Sequence, residues 1–108
     1  LLTKDNTVYY YNGGWKDAKN KNEIFKTTYS GIDGIRRVIN EKQRRLDASI
    51  NKNKEGRDGL MLLIKPGKEA SYKNVVAVLD EVTINIVKKY AVVKLSGEET
   101  EFLKNKEE

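Results

Sequence analysis

Five consecutive apolar residues, Leu60-Met61-Leu62-Leu63-Ile64, stand between Gly59 and the Pro66-Gly67 pair, and this run most constrains the fold. Its length and the turn residues at both ends predict a strand buried on both faces. A sheet therefore passes through it, and other elements must cover that sheet. Ser71 offers a side-chain oxygen to the open N–H groups of a following helix, along which Val75, Val76, Leu79 and Val82 recur at the spacing of one stripe. The helix end is read near Asn85, a residue suited to a left-handed C-terminal position, although Ile86, Val87 and Tyr90 would continue the stripe. From Tyr90 to Leu95 the pattern alternates, with Ala91, Val93 and Leu95 on one side and Tyr90, Val92 and Lys94 on the other. That is a second strand, nearer an edge because Lys94 points out of it, closed by a turn at Ser96-Gly97.

The amino-terminal half carries weaker signals. Thr7 to Tyr11 is β-branched and aromatic and stops at Asn12-Gly13-Gly14, which predicts a strand running into a turn. Trp15 is read as an amphipathic ring closing the end of a small core rather than a binding platform. Lys16 to Asn22 has one apolar residue in seven and is expected as an exposed loop, and Glu23 to Tyr29 returns to strand character. Ser30 and Asp33 have the spacing of a capping box ahead of a helix whose stripe is Ile35, Ile39, Leu46 and Ile50, broken at Lys42. Arg36, Arg37, Arg44 and Arg45 lie mostly off the stripe, and Arg37, Glu41 and Arg45 form an acid-base ladder. Asn51 to Asp58 is a polar link, and the segment after Thr100 is charged and expected to fray.

At 108 residues the chain has the size of one domain, read as residues 1–104 with a frayed tail at 105–108. No stretch reaches the roughly 18 apolar residues of a membrane span. The opening Leu1-Leu2-Thr3-Lys4 lacks a methionine, so a longer protein is expected. The absence of histidine and cysteine removes the commonest general base, the thiolate nucleophile and the usual zinc ligands, so no catalytic residue, metal site or cofactor is assigned. The net charge of +5 and the arginine pairs admit one alternative reading, a basic α+β module for nucleic acid or phosphorylated ligands. Because the bases are interspersed with acids and the aromatic repeats of a single-strand binder are missing, a solvated surface is preferred and no nucleic-acid partner is assigned.

Two segments resemble the ExbD/TolR family of biopolymer-transport proteins. One is Lys65 to Asp80, with Lys68, Tyr72, the Val75-Val76 pair, Val78, Leu79 and Asp80; the other is Leu95-Ser96-Gly97-Glu98-Glu99-Thr100, similar to the Leu-x-Gly-Glu-Glu-Thr ending of ExbD proteins. Gly67 stands where the family usually has an aspartate, and Thr83-Ile84-Asn85 stands where the helix usually ends in a glycine. The resemblance implies a periplasmic domain, joined to an N-terminal membrane anchor outside this sequence, of an inner-membrane subunit that works with an ExbB/TolQ-like membrane protein and a TonB/TolA-like transducer. It also implies a homodimer, and a cell-wall contact of the kind TolR relatives make with peptidoglycan. The order of elements predicts an α+β two-layer sandwich, two helices on one face of a mixed sheet of four or five strands. The candidate dimer or transducer contact is Tyr90, Val92, Lys94, Leu95, Gly97 and Glu98.

Overall fold

The run Leu60–Ile64 is a strand, but only one of its faces is covered. In the computed structural model, which describes residues 1–3, 7–29, 34–49 and 56–107, β3 spans Met61–Ile64, with Ile64 buried and Met61 and Leu63 53% and 48% exposed. Around it the order is β1 (Val8–Tyr10), α1 (Trp15–Asn20), β2 (Phe25–Thr27), α2 (Ile35–Ala48), a 3-10 turn (Gly56–Gly59), then α3 (Tyr72–Ile84), β4 (Lys89–Val92) and α4 (Gly97–Glu107). The class is α+β as expected. The single mixed sheet of four or five strands is not formed: among the described residues there are two sheets of two strands. β1 runs antiparallel to β2, with Val8 opposite Thr27, and β3 runs parallel to β4, with Met61 beside Lys89.

Leu2 stitches the two sheets together. It bridges Val8 in the antiparallel sense and Pro66 in the parallel sense. Its N–H donates to the Lys65 carbonyl at 2.9 Å, and its own carbonyl accepts from the Gly67 N–H at 2.8 Å. Gly67 has to be a glycine here, because a Cβ would stand 2.7 Å from the Leu2 oxygen and 2.9 Å from Leu103 Cδ1.

Alternation along β1 sends Val8 and Tyr9 to opposite faces, and each face has its own core. On one face Leu2, Val8, Ile64, Val78 and Val82 pack with Ile35 and Ile39, so α2 and α3 cover the sheet as the stripes predict. On the other, Leu1, Tyr9 and Leu103 pack with Tyr11, Trp15 and Phe102. Helices therefore lie on both faces, which corrects the two-layer arrangement.

α3 starts at a reciprocal cap: the Asn74 N–H donates to Ser71 Oγ, and the Ser71 N–H donates to Asn74 Oδ1. Its buried line is Val78 and Val82, flanked by Val75 and Leu79; Val76, assigned to the stripe from spacing, is half-buried and outside that cluster. Asn85 caps the helix at a φ of −93°, and the left-handed residue is Ile86 at 53°. In α2 the interruption of the stripe is filled by a buried Gln43, whose side chain donates to the Asn85 carbonyl at 2.8 Å and so ties the two helices. Ser30, Asp33 and Ile50, read as the cap and the last stripe position of α2, and residues 51–55 of the polar link lie outside the described residues.

Two segments expected to be irregular are helical. Lys16 to Asn20 continues α1 because Trp15 packs on the second core and Ala18, three residues on, is buried on the same side of the helix. The segment after Thr100 continues α4 through Glu107, where Phe102 and the buried Leu103 dock onto Tyr9 and Leu1.

Candidate functional site

The two segments that carry the family resemblance meet in space. Glu99, 1% exposed, lies where Lys65, Tyr11 and the start of α4 converge. The Lys65 ammonium donates to Glu99 Oε2 at 2.9 Å and Oε1 at 3.1 Å, and also to the Tyr11 hydroxyl at 2.9 Å. Tyr11 in turn donates to Glu99 Oε2 at 2.8 Å. Ser96 completes the cage: its N–H donates to Glu99 Oε1 at 3.0 Å and its Oγ accepts from the Glu99 N–H at 3.1 Å, a capping box for α4. The Ser-x-x-Glu spacing of this box stands in the sequence, at the place where Ser96-Gly97 signals a turn.

Burial pushes the Glu99 carboxyl up, yet the Ser96 N–H, Lys65 and Tyr11 together outweigh it and hold the group below the usual carboxylate range. Burial likewise pulls Lys65 down, and its bonds to Tyr11 and Glu99 reverse that and raise it above an ordinary lysine. The Tyr11 hydroxyl is raised, chiefly by burial. A carboxylate held ionised by an ammonium held charged is a closed pair. It fixes the Pro66-Gly67 turn, α4 and the end of β1 to one another, and offers neither a base nor a nucleophile.

The sequence-predicted contact residues divide around this pair. Tyr90 and Val92 lie on β4, each 50% exposed, and among the described residues β4 pairs with β3 alone. The Val93 N–H donates to the Ile64 carbonyl at 2.9 Å, so the odd-numbered backbone groups of β4 face β3 and those of Tyr90 and Val92 point outward. Lys94 is exposed, Leu95 is half-buried against the second core, and Gly97 and Glu98 open the first turn of α4 on the surface. The six therefore form an open edge followed by a helix start, with Leu95 turned into the core.

Of the four arginines of α2, Arg36 is tied to another element, while Arg44 and Arg45 are exposed. Arg36 grips Glu81 of α3 through Nε at 2.9 Å and Nη2 at 3.0 Å, Arg37 lies 3.9 Å from Glu41 as the ladder predicts, and Arg44 donates to the Asn40 carbonyl. Arg57, from the polar link, pairs with Asp47 at 2.7 Å. Among the described residues no group of three acidic, histidine or cysteine side chains is arranged to hold a metal ion, and no helix is long and apolar enough to cross a membrane. No family model, no curated protein and no solved structure matches the chain.

Proposed function

We propose that this chain is the periplasmic domain of an ExbD/TolR-like subunit in a proton-motive-force-driven inner-membrane complex, one that energises outer-membrane transport through a TonB-like transducer. The observation that supports this most is the outward edge of β4, which leads directly into the resembling segment Leu95 to Thr100. An open edge strand binds an extended segment of another chain through backbone hydrogen bonds, with alternate side chains supplying selectivity. Tyr90 and Val92, half-exposed beside that edge, and Lys94 just beyond it supply such side chains. In this reading the domain is a dimerising and transducer-binding module with no catalytic role. An ExbB/TolQ-like protein holds it at the inner membrane, and peptidoglycan is a further contact of TolR-type members.

Val92→Pro removes one outward donor and leaves the β3 ladder intact, because the Val92 N–H points away from β3. Lys94→Glu reverses an exposed charge at the same edge. Both variants are expected to keep a native circular-dichroism spectrum and to lose self-association or crosslinking to the transducer. Normal association by both folded variants would move the contact away from β4.

A further inference from the structure

A long apolar gap opens between β1 and β3, the facing edges of the two sheets. It encloses about 370 Å3, with Tyr10, Tyr11, Asn12 and Gly13 on one wall and the residues of β3 on the other. Ile35, Val38, Ile39, Leu46 and Val78 form the floor. At one end the gap is already filled, by Leu1 and Leu2, which occupy the place of a strand. The Leu1 nitrogen donates to the Tyr9 carbonyl at 2.7 Å and the Leu1 carbonyl accepts from the Tyr9 N–H at 3.0 Å, while Leu2 bonds Lys65 and Gly67 on the other side. Neighbouring strands in a sheet lie about 4.8 Å apart, so two edges already bridged by one residue stand one strand apart.

We propose that the gap is an open strand position, filled by the segment of polypeptide that leads into Leu1. The two open edges, and not the identity of the first residue, argue for it. Because Leu2 lies beside Pro66 and opposite Val8, the register of the missing strand is fixed. The residue joined to Leu1 falls beside Ile64 and Tyr10, the next beside Leu63 and Tyr11, the third beside Leu62 and Asn12, and the fourth beside Met61 and Gly13. About four residues thus span the gap, and its walls end at those same positions. Alternation also fixes the chemistry. The first and third residues share the face of Leu2, so they are apolar and fill the space above Ile39 and Leu46; the second and fourth lie on the face of Leu1 and shield Leu63 and Met61.

The ladder begun at Leu2 predicts each bond. The first residue donates to the Leu63 carbonyl and accepts from the Lys65 N–H, the third donates to the Met61 carbonyl and accepts from the Leu63 N–H, and the second exchanges both bonds with Tyr11. Completed in this way, the two sheets become one mixed sheet of five strands in the order β2, β1, the added strand, β3, β4. The new strand lies at its centre. Tension on the segment leading into Leu1 would then be borne by ladders on both sides. This inference goes beyond the proposed role and stands without it.

The test joins a Thr-Val-Thr-Val segment directly ahead of Leu1 and compares amide exchange and cross-strand NMR contacts with those of the 108-residue chain. The expected result is slowed exchange at Leu63 and Lys65, a contact between the second added residue and Tyr11, and a raised melting temperature at every protein concentration. A second form, with prolines at the first and third added positions, removes both donors to β3 and leaves the 108 residues untouched; it should lose the protection and keep the fold. An added segment that stays unprotected overturns the proposal. So does protection that appears only with concentration-dependent dimerisation, since a second copy would then be the occupant.

Discussion

Replacing Glu99 by Gln removes one charge from a site where almost nothing else is exposed. Glu99 keeps 2% of its side-chain surface and its partner Lys65 keeps 16%, so the ammonium would lose its carboxylate while remaining largely out of water. Breaking a fully buried pair costs roughly 3–5 kcal/mol, and the residual exposure of Lys65 places this pair at the lower end, about 3 kcal/mol. For a domain of this size that corresponds to a fall in melting temperature of roughly 12 °C or more. Urea unfolding measures it directly, and the partner variant Lys65→Met completes a cycle in which the two losses should be far from additive. The pH dependence follows from the shifts. Glu99 is depressed when folded, so its contribution is complete above the unfolded carboxylate value of 4.5 and is lost as pH falls through the folded value. Lys65 is raised when folded, so its contribution is complete below 10.5 and is lost as pH rises through the folded value. A Glu99→Gln protein within about 0.5 kcal/mol of its parent would refute the claim that this cluster holds α4 to the sheet.

Gly67→Ala should destabilise by about 2 kcal/mol or abolish folding, since its Cβ meets the Leu2 carbonyl at 2.7 Å and that carbonyl is itself bonded; thermal melting checks it. Val78→Asp should cost several kcal/mol and outweigh Val76→Asp, because Val78 is 3% exposed at the centre of the first core whereas Val76 lies outside it; paired urea titrations decide the order. In the 108-residue chain, where Leu1 carries a free amine, burial lowers that amine from 8.0 to about 5, so folding prefers it neutral, and this contribution is complete above pH 8 and lost as pH falls through about 5. Acetylating the amine should flatten that part of the stability profile, as read by melting temperature against pH.

The legible parts of the sequence were those in which local chemistry and tertiary packing agree. Ser71, the apolar spacing behind it and Asn85 set both ends of α3 to within a residue, because cap and stripe act over a few positions. The alternation of Tyr90 to Leu95 located β4, although the strand is Lys89–Val92 and stops short of Val93 to Leu95, and Trp15 does close an end of the core, against Tyr11 and Phe102 at 5.4 Å between ring centroids. What the sequence hid depends on partners distant along the chain. The run Leu60–Ile64 suggested burial on both faces because apolar composition does not reveal which neighbour is present, and the place beside β3 is taken by Leu1 and Leu2 only at one end. α4 carries only Phe102 and Leu103 as large apolar residues, and its docking rests on Glu99, whose partner Lys65 lies 34 residues away. In the candidate contact, the exposure of Tyr90 and Val92 fits the edge reading, while Leu95 is half-buried in the second core.

The proposed role is tested most directly by where the domain touches its partners in the assembled membrane complex. A photoreactive side chain placed at Tyr90, and in a parallel sample at Lys19, exposed on α1, would be irradiated in intact cells and the adducts identified by mass. The account predicts adducts from position 90 with a second copy or with the TonB-like transducer, diminished when the proton gradient is collapsed. Adducts from position 19 alone, with position 90 silent in a folded protein, would contradict it.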